Sequence, residues 1–182
     1  MLFEIITAGF GGQGILFTGD LLAEAALSEG KHVTFLPTYG VAMRGGTANC
    51  LVKVSDEEIG SPLLEAPDAA IIMNEPSLKK FQPMVKKGGL IIANSSIVDP
   101  SAFNRDGEVR VVWVPATETA REVAKTERSA NMVALGAFLA VEPLVDIASI
   151  EAILRASADE RKRVLIEKNI AALEAGRQRA SV

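Results

Sequence analysis

The sequence predicts an α/β fold with a mostly parallel sheet. Three observations predict it. Short apolar runs alternate with segments of helical period along the chain, the pattern of βα units. The runs Ala69-Ala70-Ile71-Ile72-Met73 and Leu90-Ile91-Ile92-Ala93-Asn94 are continuously apolar, as strands covered on both faces are. The first run, Leu2 to Ala8, enters Gly9-Phe10-Gly11-Gly12-Gln13-Gly14, and the apolar-periodic Ile15 to Leu27 leaves it. That is a strand, a glycine turn and a helix.

The elements follow in order. Gly30 ends the first helix. His32 to Leu36 is a second strand, with Pro37 as its stop. Tyr39 to Gly46 is a loop by composition. Thr47 to Val54 alternates, with Ala48, Cys50, Val52 and Val54 on one side, so it is a strand. Turns follow at Ser55-Asp56-Glu57 and Ser61-Pro62. After the strand at 69–73, a helix starts at Glu75-Pro76-Ser77, with proline tolerated in the first turn. It runs through Phe81 and Val85 to Gly88-Gly89. The strand at 90–94 is followed by a looser stretch to Gly107, a strand over Val109 to Val114, and Pro115 as its end.

Thr117 is positioned to cap a helix through Val123 and Lys125. Asn131 to Ala140 is apolar on most sides, hence a buried helix headed by Asn131. Ser149 is the expected cap of the last helical region. That region falters near Ser157-Ala158-Asp159, resumes with Ile166, Ile170 and Leu173, and closes at Gly176. No repeat, low-complexity segment or linker interrupts the 182 residues. The expectation is one domain over 1–182: a Rossmann-like three-layer domain with a C-terminal helical segment.

Composition narrows the function. The net charge of −4 gives no reason to expect nucleic acid or an anionic membrane as partner. No apolar stretch reaches the length of a membrane span, and the first residues lack the positive region of a signal peptide. Cys50 is the single cysteine, which excludes an internal disulfide, a four-cysteine zinc site and a cysteine-ligated cluster. A reducing, cytoplasmic setting is the simplest fit. His32 is the single histidine, so the chain has little general-base capacity.

Gly9, Gly11 and Gly14 fit G-x-G-x-x-G between strand and helix. The helix aims free N–H groups and its positive dipole end at the turn, where a phosphate or carboxylate is the natural occupant. A structural turn holding a partner chain or water is the competing reading. A dinucleotide dehydrogenase fails one test. It requires an acidic residue near the end of the second strand to hold the ribose hydroxyls, and that strand ends Phe35-Leu36-Pro37-Thr38. A P-loop is excluded because no Lys-Ser/Thr pair follows the last glycine. Gln13 offers an amide that donates and accepts. Arg44, before Gly45-Gly46, offers a planar fork suited to phosphate or carboxylate. Both lie where carboxyl ends of strands are expected, the ligand side of an open α/β sheet.

Gly9-x-Gly11-Gly12-Gln13-Gly14, Tyr39-Gly40-x-x-Met43-Arg44-Gly45-Gly46 and Asn131-Met132-Val133-x-Leu135-Gly136 together resemble the gamma subunit, or gamma domain, of the 2-oxoacid:ferredoxin oxidoreductases. The likeness spans the chain to about Gly136. One departure is visible: Val41-Ala42 stand where many members have Pro-Glu.

The resemblance implies a complex that oxidatively decarboxylates a 2-oxoacid to an acyl-CoA and passes two electrons to ferredoxin. It implies thiamine diphosphate and iron–sulfur clusters in alpha, beta and, in some members, delta chains. The gamma part then binds no cofactor alone, contacts those subunits, and sits near the CoA approach. Gly9, Gly11, Gly12, Gln13, Gly14, Tyr39, Arg44, Gly45, Gly46 and Asn131 are the positions expected to face a ligand. No catalytic or metal-binding residue is expected. A short free-standing chain resembles the 2-oxoglutarate type, with pyruvate, ketoisovalerate and indolepyruvate types open. The alternative is a stand-alone CoA- or nucleotide-binding module.

From the residues alone, Cys50 belongs to the core and Tyr39 to packing or an interface. His32 belongs to solvent, Asn131 to a cap or the ligand crevice, and Asp159 to Arg163 to a solvated helix face.

Overall fold

A computed structural model describes residues 1–39, 47–105, 107–157 and 162–180 of the chain, and the side chain of Tyr39 is outside the description. The strands are β1 (Leu2–Phe10), β2 (His32–Tyr39), β3 (Thr47–Ser55), β4 (Ala69–Ile72), β5 (Leu90–Asn94) and β6 (Arg110–Val114). The helices are α1 (Ile15–Ser28), α2 (Glu75–Phe81), α3 (Ala116–Ala124), α4 (Ala130–Val141), α5 (Ile147–Ala156) and α6 (Arg163–Arg179).

They form one six-stranded sheet in the order β2-β3-β1-β4-β5-β6. β1, β4, β5 and β6 are mutually parallel. β3 runs antiparallel to both of its neighbours, β1 and β2. The sheet is therefore mostly parallel with one reversed strand, which separates β2 from β1. Thr47, the first residue of β3, pairs with Phe10 at the end of β1, beside the glycine turn.

The apolar runs bury both faces by strict alternation. Ile5, Ile71 and Ile92 pack with α1 and α3 to α6 on one face. Ile6, Ile72 and Ile91 pack with Leu78 and Phe81 of α2 on the other. Ala48, Cys50, Val52 and Val54 are all buried, as their alternation predicts. At the amino end of the sheet, Glu4 and Lys53 are buried together with Nζ to Oε1 at 2.9 Å. Asp68 accepts from the Glu4 N–H at 2.8 Å and pairs with Lys86 at 2.8 Å, which joins β1 to the start of β4.

Several local expectations are corrected. Pro37 does not stop β2, which continues to Tyr39. β2 has one neighbour, so a missing N–H is tolerated there. α2 ends at Phe81, and a single 3-10 turn, Gln82–Met84, continues it, with Pro83 inside that turn. Thr117 is not a cap. Pro115 holds that position, and Thr117 is buried one residue into α3. α5 is capped by Asp146, whose carboxylate accepts from the Ala148 N–H, and Ser149 lies inside the helix. Gly176 does not close α6, which runs three residues further. It lies where α6 crosses α4: a Cβ there would stand 2.0 Å from the Val133 carbonyl oxygen. At Gly136 a Cβ would stand 1.9 Å from the Leu173 carbonyl oxygen. Two glycines thus let the two backbones touch.

Candidate binding site at the glycine turn

The turn after β1 needs its glycines for different reasons. Gly12 and Gly14 adopt φ of +94° and +73°, the left-handed region that costs a residue with a Cβ. Gly9 is extended, and its constraint is contact: a Cβ there would lie 2.7 Å from Gln13 Oε1 and 2.7 Å from Ile15 Cδ1.

Gln13 folds back over the ends of β1 and β4. Its Oε1 accepts from the Phe10 N–H at 2.7 Å and from Asn74 Nδ2 at 3.5 Å. Its Nε2 donates to the Met73 carbonyl at 3.2 Å. Asn74 also caps α2 by accepting from the Ser77 N–H at 2.8 Å. Both ends of the Gln13 amide are therefore matched inside the chain.

Asn131 does not head its helix. α4 begins at Ala130, with Ser129 before it. The Asn131 side chain is buried, and its Nδ2 donates to the Gly14 carbonyl and to Thr18 Oγ1, both at 3.2 Å. A Cβ at Gly14 would lie 2.5 Å from that nitrogen. The motif's last glycine thus accommodates Asn131 as well as the positive φ.

α1 begins at this turn without a side-chain cap and without an acidic residue in its first turn. Its first N–H groups and dipole therefore favour an anion there. A cleft of about 220 Å³ adjoins the turn, lined by Gly12, Gln13, Met73, Ile97, Thr117, Glu127, Arg128 and Ala130. Thr117 is held there by Asn94, whose Nδ2 donates to Thr117 Oγ1 at 2.9 Å. Glu127 is neutralised by Arg121 at 2.6 Å. Arg128 is exposed, and among the described residues no carboxylate pairs with it. The cleft therefore carries an uncompensated positive charge beside an uncapped helix start.

Of the expected ligand-facing positions, the structure brings Gly9, Gly11, Gly12, Gln13, Gly14 and Asn131 together. Gly11 is exposed at the turn. Tyr39 ends β2 opposite Ala48. Arg44, Gly45 and Gly46 lie outside the described residues. Sequence reasoning missed Arg128 and misassigned Thr117. No local signal marks Arg128 as a site residue: it lies in the 3-10 turn Glu127–Ser129 that Thr126 caps, its N–H donating to Thr126 Oγ1 at 3.3 Å.

Cys50 faces the core against α1. A Cβ at Gly19 would lie 2.6 Å from its Sγ. Burial, and then the charge of Asp20, push its thiol up to about 12. A thiol in that setting is neither a nucleophile nor a metal ligand at neutral pH. Among the described residues no three His, Cys, Asp or Glu side chains converge as a metal site, and no helix is long and apolar enough to cross a membrane.

Residues 4–179 match the pyruvate ferredoxin/flavodoxin oxidoreductase family. The chain is 43% identical over 171 residues to the ketoisovalerate oxidoreductase subunit VorA of Methanothermobacter thermautotrophicus, covering 93% of this chain and 34% of that one. It thus spans about a third of the length of that relative. It is 34% identical over 179 residues to the 2-oxoglutarate synthase subunit KorC of the same organism, covering 96% of this chain and 93% of that one. Among solved structures, 2-oxoglutarate:ferredoxin oxidoreductase from Magnetococcus marinus, with 2-oxoglutarate, coenzyme A and succinyl-CoA bound, superposes with a TM-score of 0.87. That match has 26% identity and covers 98% of this chain and 31% of that one.

Proposed function

The chain belongs to the pyruvate ferredoxin/flavodoxin oxidoreductase family, and we propose that it works there as the gamma component of a 2-oxoacid:ferredoxin oxidoreductase of the 2-oxoglutarate type. In that role it is inactive alone. It supports CoA-dependent oxidative decarboxylation of a 2-oxoacid in a cytoplasmic complex with alpha and beta chains, and a delta chain in some assemblies, that reduces ferredoxin.

One observation carries the reading. The chain builds a hydrogen-bonded, positively polarised turn, and among the described residues no histidine, reactive thiol or metal-ligand cluster lies beside it. Such a surface is suited to binding and orienting an anion. The residues do not fit an iron–sulfur cluster, since the one cysteine is buried in the core with its thiol proton held. In this reading thiamine diphosphate and the clusters belong to the other chains of the complex.

This chain's part is to hold CoA at the interface. Gly11 and Gly12 let a ligand approach the backbone, the first turn of α1 supplies N–H groups, and Arg128 supplies charge. Arg44, with Gly45 and Gly46, is proposed as a second phosphate contact, and Tyr39 as an interface aromatic. Gln13 and Asn131 support the site by fixing the turn. The 2-oxoglutarate assignment is supported by the 34% identity to the KorC relative. Sequence identity is higher to the ketoisovalerate relative. Substrate choice is therefore placed in residues outside this chain.

The test is steady-state kinetics of the reconstituted complex. Arg44→Ala and Arg128→Ala should each raise the KM for CoA roughly tenfold, the loss of one charge-assisted phosphate contact. The KM for the 2-oxoacid should stay unchanged. An unchanged KM for CoA in both variants rejects the CoA contact. Tight CoA binding by the isolated chain favours a stand-alone binding module instead.

A further inference from the structure

We propose that Gln13 is a specificity residue: its own carboxamide fills the anion position of the sheet's crevice and closes it to pyrophosphate. In an open α/β sheet, ligands enter where successive connections leave to opposite faces, outside the carboxyl ends of the strands. Here that place lies between β1 and β4, because α1 packs on one face and α2 on the other. Two N–H donors converge there, from Phe10 and from Asn74 Nδ2. Convergent N–H groups of this kind suit an anionic oxygen. The oxygen they meet is Gln13 Oε1, at 2.7 and 3.5 Å.

The other end of the amide is tied to the Met73 carbonyl at 3.2 Å. A pyrophosphate oxygen entering this point would displace a matched acceptor and leave the Met73 carbonyl without its donor, which is costly away from water. Gly9 preserves the arrangement, since its missing Cβ makes room for Gln13 Oε1. The first glycine of a dinucleotide-like motif thus serves the protein's own side chain. This goes beyond the proposed function: it concerns what the crevice rejects, and its outcome does not depend on CoA contact at the outer rim.

Calorimetric titration of inorganic pyrophosphate into the full chain tests it, with Gln13→Ala and Gln13→Leu beside the wild type. Alanine vacates the oxygen position and frees both donors, whereas leucine refills the space without an acceptor. The wild type and Gln13→Leu should bind pyrophosphate only at the outer rim, by Arg128, weakly and without engaging the Phe10 N–H or Asn74 Nδ2. Gln13→Ala should bind at least about tenfold more tightly than the wild type. Saturable pyrophosphate shifts of the Phe10 N–H or Asn74 side-chain signals in the wild type, or a folded Gln13→Ala with no gain, overturn the proposal. If Gln13→Ala does not fold, amide spectra of the wild type decide. Pyrophosphate should leave the Phe10 backbone and Asn74 side-chain signals in place, and saturable shifts of either overturn the proposal.

Discussion

The side-chain amide of Asn131 donates to the carbonyl of Gly14 at 3.2 Å, across 117 positions of sequence. Through this bond the buried helix α4 fixes the start of α1. The same nitrogen reaches Thr18 Oγ1, and Thr18 in turn donates to the Gly14 carbonyl at 3.0 Å. Helix and turn are therefore locked by one small polar cluster.

Breaking this lock should cost stability in a graded way. Asn131→Ala removes two hydrogen bonds and should lower the unfolding free energy by about 1–3 kcal/mol. Asn131→Asp sets a carboxylate against the Gly14 carbonyl and should cost more than alanine. Gly14→Ala meets both the positive φ and the Asn131 amide. In the double variant Gly14→Ala/Asn131→Ala the steric part is relieved, so its loss should fall short of the sum of the singles. Urea midpoints of the four variants measure this, and strict additivity would contradict the lock.

The crossing of α4 and α6 should be less forgiving. At Gly136 and Gly176 an added methyl meets backbone carbonyls at 1.9 and 2.0 Å, and backbone within packed helices has little room to yield. Gly136→Ala and Gly176→Ala should each destabilise at or beyond the upper end of the about 1–3 kcal/mol usual for overpacking. Gly30→Ala, where nothing lies within 4 Å of the added methyl, should cost only its positive-φ strain. Thermal melts of the three variants order the costs. Equal melting temperatures would mean that the helices separate freely.

The Cys50 thiol links stability to alkaline pH. Its ordinary value is near 9, and the native environment pushes it to about 12. Between these values the native state keeps a proton that the unfolded chain releases, so the unfolding free energy falls as pH rises through that window. Below about pH 9 the group adds no dependence. The full slope of one proton is about 1.4 kcal/mol per pH unit. The difference between wild type and Cys50→Ala should show this slope above about pH 9 and none below it. Native protein at pH 8 should also resist thiol reagents that react once urea is added. Prompt labelling of the native state would contradict the burial argument.

What was legible in the sequence follows the distance over which each signal acts. The β1–turn–α1 unit was readable because its pattern is contiguous. The buried strands were readable because continuous apolar runs need cover on both faces. The roles of Gln13 and Asn131 were not readable, because the groups they bind, the Met73 and Gly14 carbonyls, lie 60 and 117 positions away. Gly176 reads as a helix stop because glycine after a periodic run usually is one. Here its purpose is set by Val133 of another helix. Pro37 reads as a strand end, and only the strand order shows that β2 is an edge that tolerates it. Asp146 and Ser149 are both good caps by chemistry, and the backbone chose the earlier one. Arg128 becomes a site candidate only when the sheet brings the start of α4 beside the end of β1.

The central claim is that this chain is the gamma component of a 2-oxoacid:ferredoxin oxidoreductase. The most direct measurement is to purify the tagged chain from its native anaerobic lysate and assay the eluate for 2-oxoacid- and CoA-dependent reduction of a viologen dye. The account predicts larger chains co-purifying with that activity, with 2-oxoglutarate as the preferred substrate. A solitary chain whose eluate reduces no dye with 2-oxoglutarate, pyruvate or 2-ketoisovalerate would contradict it.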